Sequence, residues 1–214
     1  MSMGRALTRA LRQMYEQSWR LALLNLALSI VVVAVLYAVS FATTLLVLFV
    51  FVGPFAAALM HCAVTLQQTQ ELSLRDGLEG LRLHWRRGLA LGTLVAVTTL
   101  IAVTAISFYS RRGSHAWPFA LFALYVLMMF CVWQLHVWPL AVARRGERVG
   151  AVLREAGRSL FSRPFASVAL AFVLLLVNAV GAIGVLPVLT LTIAYSALAA
   201  AHFVLPPPTE EAFG

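Results

Sequence analysis

The chain has 214 residues, of which 62% are hydrophobic and only 11% are charged, and its formal net charge is +8. In soluble domains roughly a quarter of all residues are charged, so this composition excludes an ordinary soluble domain and indicates an integral membrane protein. The 16 basic residues are all arginines and cluster at the edges of long apolar runs. This spacing is typical of membrane orientation and argues against nucleic acid as a partner.

Residues 1–20 predict a cytoplasmic amphipathic helix ahead of the first membrane span. Its apolar face recurs at near-helical spacing: Leu7, Leu11, Met14 and Trp19. The apolar run that follows is longer than the ~7–15 residues of a signal peptide, and a further apolar segment comes directly after it. We therefore expect this run to be retained as a span over 21–38.

Charge-free length predicts about six spans in an all-α, polytopic membrane fold. The 50 residues between Arg20 and Glu71 carry no charge. As helix they would measure roughly 75 Å, which fits two crossings of a ~30 Å hydrocarbon core and a turn. The same count over the whole domain 21–204 predicts spans at about 21–38, 42–66, 88–110, 118–143, 164–182 and 187–204.

Two internal segments predict amphipathic helices at the membrane surface. The first, 73–87, opens with Ser73 and Asp76 in capping-box spacing, and the residues on its apolar face are Leu74, Leu78, Leu81 and Trp85. The second covers 148–162. Its predicted packing face consists of Val152, Ala156, Ser159 and Leu160, opposite Arg154 and Arg158.

The arginine distribution predicts that both chain ends are cytoplasmic. Segments 1–20, 67–87 and 144–163 hold 4, 4 and 6 arginines, or 14 of the 16, whereas the opposite side receives only Arg111 and Arg112. The short tail 205–214 carries none. This asymmetry follows the positive-inside rule.

The spans lack the residues that membrane chemistry requires. None has Asp, Glu or Arg in its interior, and no hydrolase, nucleotide or metal-site motif occurs, so we predict no catalytic, cofactor or metal site. The polar residues predicted to join helices or, alternatively, to line a pathway are Asn25, His61, Gln134, His136, Asn178 and Tyr195. His61 and His136 approach the same membrane side and could meet, whereas Gln134 and His136 point to different helix faces.

Small and kinking residues complete the prediction for the spans. Gly88-x-x-x-Gly92 predicts close helix packing, and Pro54 and Pro139 predict kinks that could also line a substrate path. Cys62 and Cys131 lie at different depths, so we interpret them as small buried packing residues rather than a disulfide.

The exposed arginines of the predicted surface helices have two possible interpretations. Those on the internal amphipathic helices would contact anionic headgroups, or they would dock a cytoplasmic partner. The residues concerned are Arg82, Arg86, Arg87, Arg154 and Arg158.

The order of several short motifs over residues 15–203 resembles the YesL family of bacterial membrane proteins. The motifs are Asn25, Gly53-Pro54 with Ala58-Leu59, Asp76, Trp138-Pro139-Leu140 leading to Arg144, Ala156, and Arg163-Pro164. Gly77 departs from the pattern, since the family tends to have an aromatic residue there. The resemblance implies an all-α fold in the bacterial inner membrane, no established activity, and an association with carbohydrate ABC transporters.

Together these features favour a non-enzymatic accessory or scaffold for membrane transport, with carbohydrate ABC uptake as the candidate system. The alternative is a small-solute transporter or channel in its own right, which the proline-broken spans favour. A membrane-embedded enzyme is the least supported reading, because no catalytic constellation occurs.

Overall fold

The computed structural model describes residues 4–12, 41–69, 71–183 and 186–206, with side chains for all of these except 41–51, 74, 182, 183 and 186–191. Every regular element in these residues is a helix. We number them α1 (4–12), α2 (Phe41–Thr69), α3 (Leu74–Ser110), α4 (Trp117–Ala143), α5 (Val149–Ser162), α6 (Pro164–Ile183) and α7 (Leu186–Val204), with a 3₁₀ turn at Ser114–Ala116. The predicted span 21–38 with Asn25, and the tail from 207, lie outside the described residues.

Three of the described helices are long and apolar enough to cross a membrane. They comprise Arg75–Ser110, Ser114–Ala143 and Pro164–Gly181. Large apolar side chains such as Ile101, Phe122 and Phe172 face outward from them, as expected for a surface in contact with lipid. The predicted all-helical class is therefore confirmed for the described residues, and these three helices indicate a membrane protein. The described residues contain three such helices, against the six predicted for the whole chain.

Helix α3 corrects the predicted division between a surface helix and a span. The segments 73–87 and 88–110 form one continuous helix of 37 residues, Leu74–Ser110. At 1.5 Å per residue it is ~55 Å long, so roughly 25 Å extends beyond a ~30 Å hydrocarbon core. No proline interrupts the sequence at 87–88, and Gly88 is tolerated within the helix. The predicted capping box is confirmed, because Ser73 N donates to Asp76 Oδ2 at 2.7 Å.

The apolar face predicted for the surface segment of α3 is not the side that packs in the bundle. Leu78 and Trp85 are 73% and 50% exposed. The buried side consists instead of Gly77, Gly80 and His84. Small residues let α2 approach closely at this side, and a leucine face would have held it away.

Helices α2 and α3 cross in backbone contact at their glycines. A Cβ on Gly53 would lie 2.2 Å from Gly88 O and 2.8 Å from Gly92 Cα. A Cβ on Gly88 would lie 2.5 Å from Pro54 Cα. The close packing predicted for Gly88-x-x-x-Gly92 is confirmed, and its partner is the Gly53-Pro54 pair.

Helix α1 joins the bundle through its small residues. Ala6 and Ala10 are fully buried, whereas Leu11, predicted on the apolar face, is 56% exposed. Leu7 packs against the core, and its carbonyl accepts a hydrogen bond from Tyr195 Oη on α7 at 3.4 Å. Of the predicted apolar face, Leu7 therefore packs in the bundle and Leu11 does not, while Met14 and Trp19 lie outside the described residues.

Other helix boundaries agree closely with the prediction. Pro118 lies in the first turn of α4, and α5 buries Val152 and Ala156 as expected. Cys62 is buried, as predicted for a packing residue, but Cys131 is exposed on α4, so its predicted burial is wrong.

Candidate functional site at the arginine-rich end

Helix termini from several parts of the described chain meet at one end of the bundle through side-chain contacts. We call this the arginine-rich end and define it by residues 67–87, 144–163 and 202–206 together with the helix ends that they join. Gln67 near the end of α2, for example, is buried, and its Nε2 donates to Pro206 O at 3.4 Å. Such contacts make the end an assembled surface of loops and helix termini.

Arg87 holds the connection between α4 and α5. Its Nη1 donates to Ala141 O at 2.9 Å and to Arg144 O at 2.8 Å, and its Nη2 donates to Arg145 O and Glu147 O. The last carbonyls of a helix have no partner further along the helix, so a guanidinium on α3 satisfies the end of α4. Arg87 is therefore engaged inside the molecule, whereas Arg75, Arg82 and Arg86 of the same segment are exposed.

His61 does not meet His136. Its ring packs instead on His84 of α3, with centroids 5.3 Å apart, and its Nδ1 lies 3.5 Å from Arg145 Nη2. The ring also fills the space above Gly80, where a Cβ would lie 2.7 Å from it. This packing explains why Gly80 is found on the buried side of α3.

His136 joins three helices through a chain of hydrogen bonds. It is 1% exposed, its Nδ1 lies 3.0 Å from Ser159 Oγ on α5, and its Nε2 lies 2.9 Å from Ser167 Oγ on α6. Ser167 donates its own proton to Arg163 O at 2.9 Å. In the neutral imidazole, Nε2–H must therefore donate to Ser167, and Nδ1 accepts the proton of Ser159.

A cavity of about 410 Å³ opens beside these hydrogen-bonded side chains. Its floor contains His136 and the ring of Phe203, whose centroids are 5.9 Å apart in an edge-on arrangement. Ser162 and Arg163 are exposed at its mouth, and the end of α7 supplies an apolar wall up to Pro206. This volume lies within the range of small-molecule sites.

The outer surface of α3 at this end presents arginines and large apolar side chains together. Arg75, Leu78, Arg82, Trp85 and Arg86 are all exposed and recur at three- and four-residue spacing, so they share one side of the helix. We call these five residues the α3 outer face.

Helix α5 presents a second mixed surface at the same end of the bundle. Arg154 and Arg158 are exposed, and Arg158 lies 3.7 Å from Glu155. Phe161 is 82% exposed. Both helices thus place cations beside apolar side chains, the arrangement expected where a protein meets headgroups or a partner.

The remaining predicted polar residues lie elsewhere in the described chain. Asn178 Nδ2 donates to Ser196 Oγ at 2.7 Å and joins α6 to α7, and Tyr195 Oη joins α7 to α1 through the carbonyl of Leu7. Gln134 is on α4, and both polar atoms of its side chain are buried without a hydrogen-bond partner among the described residues. These residues are not assembled around one cavity.

The sequence did not predict the role of several residues at the arginine-rich end. Ser159 was predicted only as part of a packing face, and Ser167 and His84 were not singled out. A usable signal did exist for Ser167, since a serine in the first turn of an otherwise apolar helix needs a partner for its hydroxyl.

Metal chemistry has no support in the part of the chain that the structure describes, where no group of three or more His, Cys, Asp or Glu residues could hold an ion. Comparisons with protein-family models, with curated proteins and with solved structures give no match to this chain.

Proposed function

We propose that the protein is a non-enzymatic accessory of membrane transport that docks a partner subunit on the cytoplasmic side of a bacterial inner membrane. The observation that carries the proposal is the α3 outer face, where Leu78 and Trp85 are 73% and 50% exposed between exposed arginines. An isolated exposed leucine needs no explanation, but an aromatic and a leucine framed by cations on one protruding helix favour an interface.

The proposed orientation follows from where the arginines lie. Six spans with both termini cytoplasmic would place the arginine-rich end inside the cell and only Arg111 and Arg112 outside. The α3 outer face would then lie just beyond the headgroups, on the part of α3 that exceeds the bilayer thickness. The proposed partner is a subunit of a transporter, with carbohydrate ABC uptake as the candidate system, and the surface that it presents is acidic and partly apolar.

Reporter fusions test this orientation. We expect alkaline phosphatase fused at Ser114 to be active, since the loop that contains Gly113 would face the periplasm. The same reporter fused at Gly146, in the exposed connection between α4 and α5, should be inactive. Cytoplasmic location of the Ser114 fusion would contradict the proposed topology and with it the position of the docking face.

Site-specific cross-linking tests the docking itself. A photo-reactive residue replacing Leu78 should capture one membrane-transport subunit, identified by mass spectrometry, in intact cells. The double variant Arg82→Gln, Arg86→Gln should reduce this capture about tenfold, because two charge-assisted contacts each contribute ~1 kcal/mol or less at an exposed surface. The matched control, Arg111→Gln with Arg112→Gln, removes the same charge at the opposite end and should leave capture unchanged.

The lipid reading predicts a different result. If the Leu78 probe yields only lipid adducts, and the Arg82 and Arg86 changes weaken only binding to anionic vesicles, then the α3 outer face rests on headgroups and the accessory function is wrong.

A further inference from the structure

We propose that a groove between α4 and α6 binds one alkyl chain of a neutral lipid that carries a hydroxyl group, and that Asn178 accepts the proton of this hydroxyl. The groove has a volume of about 350 Å³, within the range of small-molecule sites. It lies between two helices that are long and apolar enough to cross a membrane. The proposal goes beyond the docking function, because the groove shares no residue with the α3 outer face or with the cavity beside His136.

The shape of the groove fits a single alkyl chain. Its lining on α6 extends from Val168 to Asn178, which is ~15 Å along the helix. Spread over this length, the volume of about 350 Å³ gives a mean cross-section of roughly 23 Å², about that of one alkyl chain at the ~4 Å contact distance of carbon atoms. Phe172 and Leu175 are exposed at the edge of the groove, so a chain can enter sideways from the bilayer.

The polar end of the groove has an acceptor without a donor. Asn178 Nδ2 donates to Leu174 O and to Ser196 Oγ, each at 2.7 Å, so both amide protons are used. Since a carbonyl oxygen can only accept, the contact with Leu174 O also determines which amide atom is the nitrogen. Ser196 donates its own proton to Thr192 O at 2.8 Å.

A ligand at this end must therefore bring a hydrogen-bond donor. Among the described residues nothing donates to Asn178 Oδ1, and both Asn178 and Ser196 line the groove. The amide and the hydroxyl thus offer lone pairs and no free proton. An ether, an ester or a ketone would place its oxygen against another acceptor, whereas an alcohol would not.

The depth of Asn178 makes this oxygen important for binding. Asn178 lies five residues before the end of α6 at Ile183, or ~8 Å along the helix, which is within the hydrocarbon if α6 spans the bilayer. An unpaired carbonyl there costs free energy, because lipid tails supply no donor. A lipid hydroxyl at the same depth lacks an acceptor, so one hydrogen bond satisfies both groups.

The lining favours a neutral lipid over a charged one. None of the described residues that line the groove is charged, so a phosphate or an ammonium group would lose its hydration without gaining a partner. The alkyl chain adds little selectivity, since the bilayer tails are as apolar as the groove. Discrimination therefore depends on the hydroxyl. Diacylglycerol has the required chemistry, with its hydroxyl on the glycerol carbon next to the chains.

Photolabelling in vesicles tests the proposal. The full-length chain is reconstituted in phosphatidylcholine, a lipid without a hydroxyl group, and exposed to hexadecanol that carries a diazirine in mid-chain. The comparison is the methyl ether of the same molecule, which keeps the oxygen and loses the donor. We expect saturable labelling of groove residues on α4 and α6, with the alcohol binding about tenfold more tightly than the ether. Dioleoylglycerol should compete with the alcohol.

Two substitutions on α6 locate the bound chain. Ala171→Phe should abolish the saturable labelling, because the ring fills the groove and leaves the bonds of Asn178 in place. The matched control is Ala179→Phe, which makes the same change at an exposed position of the same helix that does not line the groove. It should change the labelling less than twofold.

Two further substitutions test the hydrogen bond. Asn178→Leu should remove the preference for the alcohol. Ser196→Ala frees one proton of the amide, which the ether oxygen can then accept, so the preference should fall from about tenfold to about twofold while the alcohol still binds. If Asn178→Leu does not fold, Ser196→Ala and the pair on α6 decide.

Four results would overturn the proposal. Equal affinity of the alcohol and the ether for the unaltered chain would show that Asn178 Oδ1 takes no part. Labelling that rises without saturation would show that the groove only exchanges bulk lipid. Equal losses in Ala171→Phe and Ala179→Phe would place the chain elsewhere, and failure of dioleoylglycerol to compete would exclude the proposed occupant. None of these results bears on cross-linking at Leu78, so the docking function is tested separately.

Discussion

Replacing Gly53 by alanine is expected to lower the free energy of unfolding by about 3 kcal/mol or more, because the added methyl group cannot be accommodated where α2 crosses α3. A Cβ at this position would lie 2.2 Å from Gly88 O and 2.8 Å from Gly92 Cα. Both are backbone atoms, so no side-chain rotation relieves the overlap and the two helices must separate. Gly88→Ala should have a similar effect, since its Cβ would lie 2.5 Å from Pro54 Cα.

The control for this prediction is Gly157→Ala in the interior of α5. Nothing lies within 4 Å of a Cβ there, and alanine is favoured over glycine in a helix by roughly 0.5–1 kcal/mol. We therefore expect a small gain in stability from the same chemical change. Unfolding of the detergent-solubilised variants, followed by tryptophan fluorescence, measures both. A Gly53→Ala protein as stable as the unaltered chain would contradict the close crossing.

Replacing Arg87 by methionine is expected to release the connection between α4 and α5 and to destabilise the bundle by about 3 kcal/mol. Methionine keeps most of the apolar stem but removes every donor to Ala141, Arg144, Arg145 and Glu147. Hydrogen bonds to charged groups contribute roughly 1.5–3 kcal/mol each, and four on one guanidinium are not additive. The expected loss is thus smaller than four separate bonds would suggest.

Limited trypsin digestion reports this change locally. The connection contains Arg144, Arg145 and Arg148, so opening of the segment exposes three cleavage sites. Since ~1.4 kcal/mol of lost local stability raises the open population tenfold, cleavage at 144–148 should accelerate at least tenfold in Arg87→Met. Arg86→Met, which changes an exposed neighbour on the same helix, should leave the rate unchanged. Equal rates in the two variants would show that Arg87 does not restrain the segment.

Much of the fold follows from local signals in the sequence. Pro118 opens α4, Ser73 and Asp76 cap α3, and the period of Val152 and Ala156 identifies the buried side of α5, because each signal acts within one or two helical turns. Arginine-free length likewise located the end of α4 at Ala143 and the start of α6 at Pro164. These features depend on the backbone of a single helix and its nearest neighbours.

The missed features depend on contacts between helices distant in sequence. On α3, leucines and a tryptophan marked the predicted apolar face, but the side that packs in the bundle consists of Gly77, Gly80 and His84, because α2 approaches closely and His61 fills the space. Burial of small residues gives little periodic signal. The same reason explains α1, where Ala6 and Ala10 are buried and Leu11 is exposed.

The candidate cavity also could not be predicted from local sequence patterns. His136 was recognised as a polar residue within a span, but its partners Ser159 and Ser167 lie 23 and 31 residues further along the chain. Serines at such distances are common in any membrane protein, and only the meeting of α4, α5 and α6 selects these two. The role of Arg87 could not be recognised from local sequence either, because the carbonyls to which it donates lie 54–60 residues further along the chain.

Because α3 is unbroken, it can tilt as a rigid rod about the point where its glycines cross α2. From Leu74 to Gly88 the helix measures ~21 Å, and from Gly88 to Ser110 it measures ~33 Å. The segment after the crossing is therefore about one and a half times as long as the segment before it. A rotation of about 5° about this point displaces the Ser110 end by ~3 Å. A partner that tilted the Leu74 end of α3 would therefore displace the loop at Gly113, at the other end of the helix, without any rearrangement within the helix itself.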